Sequence, residues 1–451
     1  MKSIHGSNGL PIIGGFLKYR QDRIQFLSNQ ISQYGDLSFF KLGSRKVILV
    51  THPEDVQWVL QKNAKNYHKA TNLGEVLGKG ILTSEDELWK RQRRTIAPLF
   101  HQDHIFGLVP VMNLQIKQTL DSLASTLASK LGSAVEATQP IQANLVLMKM
   151  AYQVMGATLF GSNLNPYFEE LFHSMNYLNQ FLTKKLFRLI PIPDWVPLSS
   201  QVQFKKSMTA LDRIVYQVID EKCEQIRKNE SSKDLVSLLI QAKDPETGQT
   251  MDRTQIRDEA ITLMLAGHET TGHTLTWVAH YLSLYPDVQN ECFEEINQKV
   301  QGEEAALEDV FKLEKISAVI DETLRIRPPV WAFTRRSIAS DELRGHSIPA
   351  GSILFMTPYF THRHADFWTK AEDFDPSRLF GEHKGQYFPF GLGPRQCVGK
   401  HFALLEVKLA LVQILKKFKL VALSDAKDVK PDPMITMGIK NGLKMKWVRR
   451  S

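Results

Sequence analysis

Between Glu259 and Asp287 the chain carries one residue of the Asp, Glu, Lys and Arg set, Glu269. The stretch AITLMLAGHETTGHTLTWVAHYLSLYP, residues 260–286, is otherwise apolar on most faces of a helix. Such a helix is either buried at the centre of a large protein or spans a membrane. Its three histidines and its threonines speak against lipid, so the chain is expected to build itself around this segment. Burying Glu269 is costly unless the acid is paired or used. Ala266 and Gly267 stand one turn before it, and Thr270 and Thr271 follow. Gly267 lets a flat group approach the backbone. Thr270 is placed to bond back to the carbonyl of Ala266 and loosen the helix there. Together these residues read as a groove for proton delivery, or alternatively as a core helix with bonded threonines and a snorkelling acid.

The remaining pattern is mainly helical with a small β portion. Residues 35–50 read as two strands around Gly43-Ser44, and helical periodicity marks 53–62, 85–97, 108–130, 140–160, 287–300, 315–326 and 399–417. Residues 189–200 form a proline-punctuated loop, and short strands and loops fill 341–380. The 451 residues exceed the usual single core, yet no linker or repeat divides them, so one large unit is expected. Residues 1–30 hold no sustained apolar stretch, and neither a signal peptide nor a membrane anchor is expected. The net charge is +8 without a long basic run, which argues against nucleic acid and leaves an acidic partner or an anionic surface. Three cysteines without a CxxC pair exclude a zinc ribbon and a disulfide framework, and a reducing cytoplasm is expected.

One cysteine stands among glycines and prolines in FPFGLGPRQCVGK, residues 388–400. A thiolate is a soft ligand suited to haem iron or zinc. Zinc needs further Cys or His ligands, and only His401 is near. Haem iron takes one axial protein ligand, which fits the lone Cys397. Gly393 and Gly399 are then expected to admit the porphyrin face, Arg395 to meet a propionate and Phe390 to shield the sulfur. Amides after the cysteine are placed to donate to it. Upstream, Glu322 and Arg325 share a helix face at i,i+3. They are either an exposed pair of little consequence or, buried, an acid that accepts from both Arg325 and Arg378.

FGLGPRQCVG, residues 390–399, has the F-x-x-G-x-R-x-C-x-G pattern and resembles the cytochrome P450 family of haem-thiolate monooxygenases. AGHETT (266–271) resembles the family's oxygen-activating helix, ETLR (322–325) its E-x-x-R motif, FDPSRL (374–379) the loop arginine that completes a triad, and WKRQR (89–93) its W-x-x-x-R helix. The resemblance implies a P450 fold, with 1–451 as one haem domain, 1–30 as its N-terminal segment and 385–417 as the thiolate loop and following helix. It implies haem b on Cys397, Glu269 and Thr270 in proton delivery, Ala266 and Gly267 beside the haem, and Glu322, Arg325 and Arg378 as a structural triad. Trp89, Arg93 and Arg336 are expected at the propionates, with Arg335 as the alternative to Arg336. Asp86 stands where many relatives have glycine, which touches the turn geometry there.

The implied reaction inserts one oxygen atom from dioxygen into an apolar organic substrate. Electrons come from a separate ferredoxin or flavodoxin and its reductase. The substrate is expected against the 66–82 segment, helices near 165–185 and 203–225, and Ala266. A basic face of Lys90, Arg94, Lys400 and Lys408 is expected to dock the donor, and the enzyme is expected to be a monomer. Two alternatives are a peroxide-driven peroxygenase and a non-catalytic haem sensor; the pair Glu269-Thr270 argues against the first.

Overall fold

The structure is a computed structural model that describes residues 2–70, 73–131, 140–161, 166–186, 196, 198–230, 233–378, 385–423 and 428–450. The proline-punctuated stretch expected at 189–200 lies largely outside the described residues. The largest sheet has six strands: β1 (Gly6–Ser7), β2 (Leu37–Leu42), β3 (Arg45–Val50), β4 (Tyr67–Lys69), β5 (Phe333–Ser337) and β6 (Ile353–Met356). Their order is β1-β2-β3-β6-β5-β4, so the N-terminal hairpin is joined to strands from some 300 residues later. β3 and β6 pair in parallel, Val47 with Ile353 through Val50 with Met356. Both are rich in β-branched and aromatic residues, which pack well on a pleated surface. Small sheets elsewhere include one of Ile141–Gln142, Phe418–Ala422 and Lys444–Arg449.

Helices make up most of the molecule. Those that position the site are α1 (Phe16–Gln21), α2 (Asp86–Ile96), α3 (Ala143–Phe160), α4 (Phe168–Leu186), α5 (Ser199–Arg227), α6 (Arg253–Leu284), α7 (Glu314–Ile326) and α8 (Lys400–Lys417). The apolar stretch that opened the sequence reading is α6, 32 residues long and buried along most of its length. Asp252 caps it by accepting from the Gln255 amide at 2.8 Å, a contact worth about 1 kcal/mol. Pro286 follows its end and starts the next helix. Among the described residues no helix is long and apolar enough to cross a membrane.

The first turn of α6 seats the chain between Val76 and Ile81. Buried Arg257 donates to Asp212 of α5 at 2.8 Å, to Asp258 at 2.7 Å and to the Val76 carbonyl at 3.2 Å. Asp258 accepts from the Lys79 amide at 2.7 Å and Glu259 from the Ile81 amide at 2.9 Å. Gly80 lies so close that a Cβ would stand 2.2 Å from Thr262 Oγ1. Part of the 66–82 segment expected at the substrate is therefore fastened to the central helix by backbone-to-carboxylate bonds.

Two local departures from the expected pattern have physical causes. The helix expected over 53–62 is α-helical over Pro53–Gln57 and widens to a π turn over Trp58–Lys62, closed by the Asn63 amide on the Trp58 carbonyl at 2.8 Å. At Asp86 the backbone enters the left-handed region with φ 51, where glycine is at ease and aspartate is tolerated. Its carboxylate lies 2.9 Å from His68 Nε2.

Candidate functional site

The chain between Phe388 and Gly399 folds into a tight loop that ends at the start of α8. The Gly391 amide donates to the Phe388 carbonyl at 2.9 Å, and the Cys397 amide to the Phe390 carbonyl at 2.8 Å. Cys397 is exposed, and the chain packed around it raises its thiol. The Gly399 amide, Arg93 and Lys400 pull the thiol back toward ionisation. Gly393 is held by its backbone. It has φ 68, and a Cβ there would stand 2.1 Å from the Leu60 carbonyl oxygen. The glycine admits the backbone of the π turn. Gly399 has open room in front of it, with Phe100 3.7 Å from its notional Cβ. Lys400 Nζ stands 5.9 Å from the Phe390 ring centroid.

A cluster of cations lies beside this loop. β5 alternates, so Arg335 points inward and Arg336 is exposed. Of the two arginines weighed for a propionate, Arg335 is the buried one. Arg335 is paired across the strands with Lys69 of β4. Like charges directly opposite each other destabilise a sheet. Burial, and then Arg395 and Arg335, push the Lys69 ammonium down to about 7. Burial, then Arg395, lowers Arg335 to about 10. Arg395 stacks 3.8 Å above the Trp89 ring and pairs with Glu85. Arg93 donates to the Gln396 carbonyl at 2.8 Å. Glu85 is the one carboxylate paired with this group among the described residues. Four cations around one acid suit a group that brings two further carboxylates, and a haem with its two propionates fits. Sequence reasoning missed Lys69 and Glu85, because no motif marks them and only the β4–β5 pairing brings Lys69 to Arg335.

On α6, Ala266 is exposed although most of the helix is buried. Gly267 packs against α3, where a Cβ would meet Met155 Sδ at 2.7 Å. Its small size serves helix packing. Thr270 donates to the Ala266 carbonyl at 2.8 Å, the back-bond that the spacing predicts. Burial raises the Glu269 carboxyl, with Thr436 and Asn179 pulling the other way. Asn179 of α4 donates to Glu269 Oε1 at 2.5 Å, and His273 Nε2 lies 3.9 Å from the same oxygen. Asn179 is a third residue, after Lys69 and Glu85, that no sequence motif marks.

Glu322 and Arg325 are both fully buried, not a surface pair. They meet through two bonds of 2.7 and 2.8 Å. Arg378 adds a third at 3.1 Å, and the Asp375 amide a fourth at 2.9 Å. Arg325 also donates to the carbonyls of His362, Ala371 and Asp373. Arg378 donates to those of Thr369 and Lys370, each at 2.7 Å. One carboxylate thus holds two arginines, and the arginines hold the loops around them. Neutral His362 extends this scaffold by accepting from the Phe388 amide at 2.9 Å, directly before the cysteine loop.

The expected basic docking face is thinner than its sequence. Lys90 binds Glu87 at 2.6 Å. Arg94 is held by Asp244 at 3.2 Å and Glu246 at 3.1 Å, and pushes the Asp244 carboxyl down to about 2. Lys408 is partly buried, and that burial lowers its ammonium.

The family model for cytochrome P450 matches residues 4–445. Cyclooctatin synthase of Streptomyces melanosporofaciens is 30% identical over 439 residues, 95% of this chain and 92% of that protein. Pentalenene oxygenase of Streptomyces avermitilis is 26% identical over 457 residues, 98% of this chain and 96% of that protein. The solved structure of retinoic acid-bound cyanobacterial CYP120A1 covers 100% of both chains with a TM-score of 0.86 at 22% identity, a likeness of fold.

Proposed function

The chain belongs to the cytochrome P450 family, and from that membership we propose which of its residues carry the chemistry. The enzyme is a haem-thiolate monooxygenase that acts on an apolar substrate and takes its electrons from redox partners. When bound, the haem supplies reductive activation of dioxygen, and the cysteine thiolate donates electron density that favours O–O cleavage. The proposed cofactor is haem b, the proposed axial ligand Cys397, and the proposed haem domain the whole of residues 1–451. The observation that carries this reading is the exposed Cys397 at the head of α8, in the loop beside the cations Arg93, Arg395, Arg335 and Lys69.

The protein's own contributions follow from the geometry. The Gly399 amide and the charges of Arg93 and Lys400 favour the thiolate. Lys69, Arg335 and Arg395 would hold the propionates of a bound haem, and Trp89 supports the Arg395 guanidinium. Glu269, which burial keeps protonated to higher pH, supplies a proton, and Asn179 fixes the oxygen it presents. Thr270 gives its hydroxyl hydrogen to the Ala266 carbonyl and would steady the proton path by accepting a hydrogen bond at its oxygen. Glu322, Arg325, Arg378 and His362 hold the loops before the cysteine in place.

An acidic ferredoxin or flavodoxin is proposed to dock beside Lys400 and Lys90, with Arg94 holding the 244–249 turn instead of meeting the partner. A monomer in the cytoplasm is proposed. The relative named pentalenene oxygenase supports a pentalenene-like apolar substrate. The test supplies the holoenzyme with a surrogate ferredoxin, its reductase and NAD(P)H, and offers pentalenene and related hydrocarbons. A product one oxygen heavier, with matching NAD(P)H consumption, is expected. Turnover with peroxide alone would favour a peroxygenase. Haem binding without turnover of any compound would favour a sensor.

A further inference from the structure

We propose that Arg327 and Arg363, where α6 and α7 end, bind a small tetrahedral oxyanion of which inorganic phosphate is the simplest case. Arg327 is the first residue after α7, and Arg363 follows the Pro358–Thr361 turn. Both guanidiniums donate to one acceptor, the Ile326 carbonyl: Arg327 through Nη1 at 3.2 Å, and Arg363 through Nη2. The two cations are therefore near neighbours with only a neutral oxygen between them. Like charges so placed repel, and burial strengthens the repulsion. Arg363 is 8% exposed. Burial lowers its guanidinium, and Arg327 adds to that.

The acids nearby do not cancel this charge. Arg363 Nε meets Glu372 at 3.1 Å, but the Glu372 side chain is 72% exposed, and water weakens such a pair. Among the described residues Arg327 pairs with no carboxylate, and its Nε is buried without a hydrogen-bond partner. The neighbouring Glu322 is taken, since it accepts from both Arg325 and Arg378. Buried polar atoms nearly always find a partner, so an orphan points to one that is missing.

The surrounding groups are built to offer donors. Arg363 spends bonds on Glu372, the Tyr359 carbonyl and Ile326. Arg327 bonds the protein only at Ile326 and has the rest of its fork to give. Its Cζ lies 5.0 Å from the Trp277 ring centroid and 6.0 Å from that of Tyr359, and Arg363 Cζ lies 4.0 Å from the Tyr359 centroid. Stacking engages the flat faces of the guanidiniums and leaves their edges for hydrogen bonds. His280 of α6, 5% exposed, has a second orphan, its Nδ1. Its ring lies 5.5 Å from Trp277. Burial, then the Arg327 charge, lowers this imidazole to about 4, so it adds a polar atom at neutral pH and no further charge. Arg327 is half-buried, so an ion reaches it from solvent. An anion with several oxygens can meet both forks at once, which a halide cannot.

The holoenzyme is titrated calorimetrically with sodium phosphate and, at equal ionic strength, with sodium chloride. One saturable phosphate site per chain is expected, and none for chloride. Arg327→Gln is expected to weaken phosphate at least tenfold, with unchanged circular dichroism and haem absorption. Arg327→Lys keeps the charge and loses the fork, and a loss of at least threefold is expected; should Arg327→Gln not fold, this variant decides. Arg45→Gln, at an exposed arginine elsewhere, is expected to change nothing. No saturable phosphate binding, equal binding of chloride, or unaltered binding by the folded Arg327 variants would overturn the proposal. So would equal weakening by Arg45→Gln, since the net charge of +8 would then attract phosphate without a site.

Discussion

Arg335 and Arg336 are adjacent in sequence and opposite in the fold. In FTRRS the resemblance points to Arg336 at a propionate, with Arg335 as the alternative. Strand alternation buries Arg335 opposite Lys69 and exposes Arg336, and the proposed propionate contact goes with the buried one. Hydrogen bonds to charged groups contribute about 1.5–3 kcal/mol each. Arg335→Ala is therefore expected to weaken haem retention by roughly ten- to a hundredfold, read as the rate of haem transfer to apomyoglobin. Arg336→Ala is expected to match the parent enzyme. The reverse order would return the role to Arg336. Glu322→Ala belongs to the same scale. It leaves Arg325 buried without its acid, at a cost of about 3–5 kcal/mol, and mostly haem-free, aggregated protein is expected. Normal haem incorporation would mean that the backbone carbonyls around Arg325 hold the loops without Glu322.

At the scale of elements, α6 shows what a linear pattern reveals and what it hides. Its length, its apolar faces and the Thr270 back-bond are local properties, and all three are legible in residues 260–286. Its attachments are not. Glu259 accepts from Ile81, 178 residues earlier, and Glu269 accepts from Asn179, 90 residues earlier. Such contacts depend on how helices pack, which periodicity does not encode. The glycines teach the same lesson: Gly267 and Gly393 are small because Met155 and the Leu60 carbonyl lie against them. The Glu259 attachment has a pH signature. Burial pushes its carboxyl up to about 8, while the unfolded chain ionises near the ordinary carboxylate value of about 4.3. Between these values the native state holds a proton that the unfolded state releases, so rising pH favours unfolding. Glu259→Gln removes that dependence. Its melting temperature is expected to gain on the parent's progressively from pH 5 to 8 and to stay level above. A gap independent of pH would show that Glu259 is already ionised in the fold.

The whole molecule responds to acid through its buried histidines. Burial lowers His268, His273 and His280 to about 4 and His362 to about 3. The unfolded chain takes up these protons near pH 6.5, so stability is expected to fall as pH drops from 6.5 toward 4. His362 meets the Phe388 amide just before the cysteine loop, and haem release is expected to accompany unfolding instead of preceding it. Haem lost well above the pH at which helicity falls would separate the two. The central claim is that Cys397 is the axial thiolate, and carbon monoxide tests it most directly. Dithionite-reduced holoenzyme with carbon monoxide is expected to show the red-shifted Soret band of thiolate-ligated haem, and Cys397→Ala is expected to lack it. The same band in the Cys397→Ala protein, or its absence from the parent enzyme, would contradict the assignment.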